Sequence, residues 1–325
     1  AKIERILESK KNEVLVYIKD KVFYTVKENI KLENKNALKY NQGDVLLVDN
    51  KSLELIKNLG NIEDPKIDEL ISLHLYNEIY RLEKHLEVNA LMDDKKQRVD
   101  LRDLCFCTID PNSAKDHDDA IYFDTKENIL YVAIADVSHF VKEGSELDLL
   151  AFKKSTSIYL PQKVLPMLPP VLSEDMCSLK EGQDRYSYVF KMYLDVQNQS
   201  VKKSELFEAI IKSHKNFSYG RIDRVIEGHL DQYSKIEKEI FDYLIPFYEI
   251  SKKFRAKRLL KGYDFRTSEN RLKLRNSKLE SIEVETSTAS HQLVEECMLL
   301  ANIEASKKVN TVGIYRIHEE PAFNA

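Results

Sequence analysis

The sequence predicts a multidomain chain, with a small all-β barrel followed by a larger α+β domain. Two observations carry this expectation. Five short strand patterns lie within the first 62 residues, each bounded by turn or charged residues. From residue 104 onward, short apolar strands are followed by long helical patterns, the mark of a mixed class. The length of 325 residues suggests about two domains, and 43% apolar content is enough for ordinary cores.

The first region spans residues 1–62. Its strand patterns fall at 2–7, 13–18, 22–26, 44–48 and 53–59. Five short strands fit an OB-fold, which binds single-stranded nucleic acid on one face. Tyr17, Phe23 and Tyr24 are candidate stacking surfaces. Strand alternation sets Phe23 and Tyr24 on opposite faces, so at most one of that pair is available for stacking. Residues 63–98 read as a helix and a linker. Pro65 suits a first helical turn, and Ile67, Leu70, Ile71, Leu75 and Ile79 recur at helical spacing over 64–86. Residues 89–98 are polar.

The second domain, 99–325, opens with strand patterns at 105–109, 120–123 and 130–135. A hairpin-like pair follows at 187–196 and 205–214, around a turn at 197–200. Helices are expected at 219–227, 235–257 and 290–308. The last carries Leu293, Val294, Cys297, Leu300 and Ala301 on one face.

A net charge of −4 argues against a uniformly basic nucleic-acid binder. Distribution matters more than the sum. Between Lys252 and Arg275 ten Lys or Arg face two acids, with Phe254, Tyr263 and Phe265 interleaved. Basic groups attract phosphates and aromatic faces stack on bases, although a helix with a solvated basic face has the same composition. The four cysteines form neither a disulfide framework nor a plausible zinc set, so a reduced, cytoplasmic setting is expected. No apolar run is long enough to span a membrane, and the start lacks a signal-peptide pattern.

Most of the chemistry is concentrated between residues 109 and 120. Asp110, Asp116, Asp118 and Asp119 are spaced D-x5-D-x-D-D. So many carboxylates together are unfavourable unless cations neutralise them, and oxygen-rich clusters suit Mg2+ or Mn2+. Two such ions about 4 Å apart hydrolyse phosphodiesters in many enzymes. A solvated acidic loop is the plainer alternative. Against it, the cluster lies between apolar strand patterns, and a further carboxylate, Asp136, follows the next one. A calcium loop of the EF-hand type fails for want of the central Gly and closing Glu.

The segments around this cluster carry a resemblance. From Val99 the chain reads VDLRDLCFCTIDPNSAKDHDDAIYF, then LYVAIADVSHFVKEGSELD and STSIYLPQKVLPMLPPVLSEDMCSL. Later come HQLVEECMLLAN from His291 and IYRIHEEP from Ile314. These segments resemble the catalytic RNB domain of the RNase II / RNase R exoribonucleases, nearer the RNase R branch, continuously from about residue 99 to 321. The preceding barrel is similar to the family's second cold-shock domain.

The resemblance implies a 3′→5′ exoribonuclease that hydrolyses single-stranded RNA to nucleoside 5′-monophosphates, with Mg2+ (Mn2+ as an alternative) in a two-metal mechanism. Asp110, Asp116, Asp118 and Asp119 match the family's active-site aspartates, of which one orients water rather than binding metal. Tyr159 in SIYLP matches a tyrosine near the 3′-terminal nucleotide, and Phe265 in YDFRTSE matches its opposing aromatic. A place in the core is the alternative for both. Tyr219 in FSYGRI and Glu295 in LVEEC match residues that read the ribose 2′-OH. For Glu295 the alternative is a helix-surface charge. Asp136 and Arg185 read as structural supports, and Cys177 as buried.

The family's catalytic domain continues past IYRIHEEP with a Ser-Pro-Ile-Arg-Arg-Tyr type segment, a glutamate helix and an S1 domain. Residues 322–325 do not resemble that continuation. The expectation is therefore a domain incomplete at its C-terminus, weak or inactive alone, and monomeric when full length. A non-enzymatic reading is an RNA-binding or regulatory RNB fragment without turnover. A third is an OB-fold DNA-binding protein with an unrelated acidic metal site, which predicts equal action on DNA and RNA.

Overall fold

The computed structural model describes residues 12–76, 97–160, 163–229, 232–260, 262, 269–275, 278–310, 312–313 and 315. In chain order the strands are β1 (Glu13–Lys19), β2 (Val22–Thr25), β3 (Lys31–Leu32), β4 (Asp44–Asp49), β5 (Leu55–Asn61), β6 (Val99–Asp100), β7 (Phe106–Asp110) and β8 (Asp119–Asp124). They continue with β9 (Ile129–Ala135), β10 (Ile158–Tyr159), β11 (Val164–Leu165), β12 (Asp184–Asp195), β13 (Ser200–Ser218), β14 (Glu269–Arg275) and β15 (Lys278–Glu285). The helices are α1 (Ile67–Tyr76), α2 (Val137–Phe140), α3 (Glu146–Lys154), α4 (Tyr219–Ile226), α5 (Lys235–Leu259) and α6 (Ala289–Ser306). Two compact units form. The first holds β1–β5 and α1, with the segments Leu149–Met167 and Asn270–Glu283; the second holds the remaining elements.

In the first unit the strands run in the order β3-β2-β1-β4-β5, all antiparallel, which is an OB-type sheet. Alternation buries both faces. Val16, Ile18, Phe23, Leu46 and Val48 pack on one side with Ala37, from a 3-10 turn at Lys35–Lys39. Leu15, Val45, Leu47 and Leu59 pack on the other against Ile67, Ile71 and Leu75 of α1. Phe23 is therefore core. Tyr24 faces its register partner Tyr17 at 5.7 Å between ring centroids, and Tyr17 Oη donates to Asn29 Oδ1 at 2.6 Å.

The differences from expectation are local. The strand expected at 2–7 lies outside the described residues. The two-residue β3 was not expected, being too short for a period to show. The last strand starts at Leu55 rather than 53, because Leu53 takes a left-handed turn conformation with φ of 56°. α1 starts at Ile67 after a turn in which Asp64 Oδ1 accepts from Lys66 N at 2.9 Å. The continuation of its pattern through 77–86 lies outside the described residues.

The second unit is built on one mixed sheet in the order β12-β9-β8-β7-β13-β6. β13 is 19 residues long and serves two partners. Its first part pairs antiparallel with β12, from Asp195↔Ser200 to Asp184↔Lys212. Its last part pairs parallel with β7, from Ser213↔Phe106 to Ser218↔Asp110. Because β12 also pairs with β9, the sheet closes on itself. One face carries Cys107, Ile109, Ile121, Phe123, Leu130, Val132 and Met192, packed under Ile222 of α4, Ile240, Leu244 and Phe247 of α5, and Leu293, Cys297 and Ala301 of α6. Burying each large side chain here contributes about 1.5–3 kcal/mol. Tyr243 Oη fastens α5 to the sheet by donating to Cys105 O at 2.9 Å. All four cysteines are buried and free.

α5 begins with a capping box in which Glu237 N donates to Ser234 Oγ and Ser234 N donates to Glu237 Oε2. The helix corrects the reading of the basic stretch. Phe254 is 7% exposed and belongs to the core. Lys252 pairs with Glu249, Arg255 and Arg258 pair with Glu295 and Glu296, and Lys257 Nζ donates to Asn198 O. Much of the charge on this stretch is thus engaged within the fold. Tyr263 and Phe265 lie outside the described residues.

Candidate active site

β7 and β8 pair at Cys107↔Ile121 and separate into the loop that carries the aspartates. Asp110 ends β7, Asp119 begins β8, and Asp116 and Asp118 lie between them. The apolar runs Phe106–Ile109 and Ala120–Phe123 are needed inside the sheet, so the carboxylates collect at its rim.

The four carboxylates act on one another. Burial, then Asp110 and Asp118, push the Asp119 carboxyl up to about 7. Asp118 is raised by burial first and then by Asp116 and Asp110. Its residue surface is open to solvent, yet protein crowds the carboxyl enough for burial to lead. Asp110 Oδ2 lies 2.7 Å from His117 Nδ1. Buried carboxylates that disfavour each other's charge suit a divalent cation in their donor chemistry. Among the described residues no group of three or more Asp, Glu, His or Cys side chains is arranged to hold a metal ion.

The loop is tied down from outside. Ser178 Oγ donates to Lys115 O at 2.7 Å and accepts from His117 N at 3.1 Å. Leu179 N donates to His117 O, and Ala135 N donates to Asp118 O. Arg185, 7% exposed, donates through Nε to Ser178 O at 2.8 Å. Cys177 is buried.

Asp136 follows β9 and caps α2, its Oδ1 accepting from Ser138 Oγ at 2.7 Å and His139 N at 3.0 Å. Its other oxygen meets Arg98 Nη2 at 2.8 Å, with both side chains 2% exposed. Burial alone would raise this carboxyl, but Ser138, Arg98 and His139 together bring it below its ordinary value.

The Tyr219 ring, at the start of α4, stacks on His291 of α6 with centroids 3.7 Å apart and an 18° tilt. His291 is one helical turn before Glu295. Glu295 is no isolated surface charge. It receives Arg255 at 2.7 Å and Arg258 at 3.4 Å. Tyr159, on β10 in the first unit, is 68% exposed, so the core alternative does not hold for it. His117, Ser178 and His291 were not singled out from the sequence. His117 stood in plain view inside the aspartate motif, whereas Ser178 meets its partners across more than 60 residues.

A closed mixed sheet with a carboxylate cluster at its rim, preceded in the chain by an OB-type barrel, defines an RNB-type architecture. The RNB domain model matches residues 98–325, and the model of the Ribonuclease R second OB domain matches residues 15–73. The chain belongs to the RNB family. It is similar to Ribonuclease R of Helicobacter pylori, at 35% identity over 97% of this chain and 49% of that protein. Ribonuclease R of Escherichia coli is 36% identical over 71% of this chain and 29% of its own length. Among solved structures, Mycoplasma genitalium RNase R in complex with ribose methylated single-stranded RNA gives a TM-score of 0.75 at 25% identity, covering 94% of this chain and 53% of that one. The chain thus spans about half the length of the Helicobacter relative. Among the described residues no helix is long and apolar enough to cross a membrane.

Proposed function

We propose that this chain is the aspartate-bearing part of a cytoplasmic 3′→5′ exoribonuclease that hydrolyses single-stranded RNA to nucleoside 5′-monophosphates. One observation carries the reading: four carboxylates within electrostatic reach of one another, at the rim of a sheet in an RNB-family domain. Asp110, Asp116, Asp118 and Asp119 would hold Mg2+, with Mn2+ as an alternative. When bound, such ions polarise the scissile phosphate, supply hydroxide and neutralise the leaving oxygen, as a pair if two are held.

The chain's own residues prepare this chemistry. Asp119, pushed up to about 7, is readily protonated near neutral pH, so a bound cation would compete with that proton. His117 fixes the rotamer of Asp110. Tyr219, braced by His291, and Glu295, braced by Arg255, are placed on adjoining helices and would read the ribose 2′-OH. Tyr159 offers an exposed ring for stacking on a base.

The test is 5′-labelled single-stranded RNA incubated with the full protein that contains this sequence, in Mg2+ and in EDTA. Shortening from the 3′ end with release of mononucleotides, abolished by EDTA, is expected. RNA binding without any shortening would leave an RNA-binding segment without turnover. Equal degradation of a matched deoxyribo-oligonucleotide would overturn the ribose assignment.

A further inference from the structure

One buried hydroxyl brackets Asp116 from both sides. Ser178 is 0% exposed, and its Oγ donates to Lys115 O at 2.7 Å while accepting from His117 N at 3.1 Å. A serine hydroxyl has a single proton, and here that proton goes to the main chain on one side of Asp116 while a lone pair serves the other. Leu179 N adds a third bond, to His117 O at 2.8 Å. The segment supplying these groups is itself fixed. Ser178 N donates to Asp175 O at 3.0 Å at the end of a π-helical turn over Leu172–Met176, and Arg185 Nε holds Ser178 O.

Elsewhere in the loop Ala114 N donates to Pro111 O at 2.9 Å and Ala135 N donates to Asp118 O at 2.9 Å, so the main chain around Asp116 is the part that Ser178 holds. Pro111, Asn112 and Ser113 are exposed, and Asp116 and Asp118 are like-charged side chains two residues apart. Left to themselves, like charges on such a loop would spread apart. Lys115 and His117 are the residues on either side of Asp116, and His117 also reaches Asp110 through its ring. Whatever fixes their main chain therefore fixes Asp116 relative to Asp110, while Asp118 is held separately by Ala135 N.

We infer that Ser178 is a positioning residue for the aspartate loop, fixing the main chain on either side of Asp116 so that a cation has less of the loop to order when it binds. This rests on the reading of the cluster as a cation site. Ser178 touches neither substrate nor cation in this role and acts through the main chain at Lys115 and His117. Groups that orient metal ligands typically change metal affinity about 10–100-fold when removed.

The experiment uses the full protein containing this sequence, with Mn2+ as the probe and no RNA present. Mn2+ binding is followed by electron paramagnetic resonance for the parent, Ser178→Ala and Ser178→Thr. Ser178→Ala should bind Mn2+ about tenfold more weakly, with RNA affinity in EDTA unchanged. Ser178→Thr, which keeps the hydroxyl, should recover most of the loss. Mn2+ affinity in Ser178→Ala within twofold of the parent overturns the inference. Amide hydrogen exchange on the parent in EDTA judges it without any substitution. The His117 and Leu179 amides should be protected, and exchange at unprotected rates overturns the pin even if the variants do not fold. A parent that binds no Mn2+ at all sinks the cation reading itself, an outcome distinct from equal binding by parent and variant.

Discussion

His117 Nδ1 lies 2.7 Å from Asp110 Oδ2, so the first aspartate of the cluster already has an imidazole partner from within the loop. Thr108 Oγ1 stands 3.4 Å from the same nitrogen. With the proton on Nδ1, the ring donates to Asp110 and sets its carboxylate plane, as outer-shell groups do for metal ligands. His117→Ala should therefore raise the Mg2+ concentration needed for half-maximal RNA hydrolysis by about tenfold, with a smaller change in the rate at saturating Mg2+. An unchanged Mg2+ titration would show that Asp110 needs no such partner.

Asp118→Asn should abolish hydrolysis in the full protein and leave RNA binding in EDTA nearly intact. Asp118 is the one residue of the four whose overall surface is exposed, and it presses on Asp119 electrostatically. Its amide would keep the shape and lose the charge. Near-parental mononucleotide release in Mg2+ would remove Asp118 from the site.

Tyr159→Ala should lengthen the final undegraded product while leaving the thermal midpoint in place, because the ring is 68% exposed. Loss of one base stack costs about 1–3 kcal/mol. Gel analysis of end products, together with a melting curve, checks both halves. The same end product from a folded variant would return the ring to a passive role.

Tyr219→Ala should narrow the preference for RNA over DNA. Its effect should be non-additive with Glu295→Ala, because the two residues stand on helices joined through Ser290 Oγ, which donates to Tyr219 O at 3.2 Å. The ratio of cleavage rates for matched ribo- and deoxyribo-oligonucleotides is the readout. Glu295→Ala also strips Arg255 and Arg258 of a partner, so Glu295→Gln is the gentler comparison.

Asp136→Asn should destabilise the protein without touching the cluster's charge. It leaves Arg98 buried beside an amide with Glu208 still 3.4 Å away, so the loss should fall below the roughly 3–5 kcal/mol typical of a buried charge left wholly uncompensated. The sign of the pH effect follows from the direction of the shift. The folded-state pKa is depressed, so this contribution is present above the ordinary aspartate range, about 3.9, and is lost as pH falls below it. Unfolding of parent and variant at pH 7 should differ, and the gap should shrink at about pH 3. A constant gap would mean the pair contributes through shape alone.

The sequence made the aspartate loop and the core helices legible, because apolar period and charge density are local signals. The strand expected at 205–214 is in fact 19 residues long. Its extra length serves two different partners, and its first part carries Lys202 and Lys203 on exposed positions, which hides the alternation. α3 has no buried residue, so no apolar stripe announced it. Ser178 was passed over because its bonds reach across more than 60 residues to main-chain atoms, and no local pattern encodes them. Phe254 shows the converse error: an aromatic among lysines reads as a stacking surface, yet helix geometry turns it into the core.

The double pairing of β13 also sets a timetable. Asp110 is synthesised roughly a hundred residues before Ser218, its register neighbour on the parallel strand. At about 5–20 residues per second, the ribosome delivers the aspartates roughly 5–20 s before the strand that must clasp them. During that interval the nascent chain carries the carboxylates with β7 and β8 but lacks the β13 edge that pairs beside Asp110. Parallel pairing over such a span is slow to nucleate, because loop-closure entropy is lost before the contacts repay it. Here the topology postpones assembly of the cluster until most of this sequence has been translated.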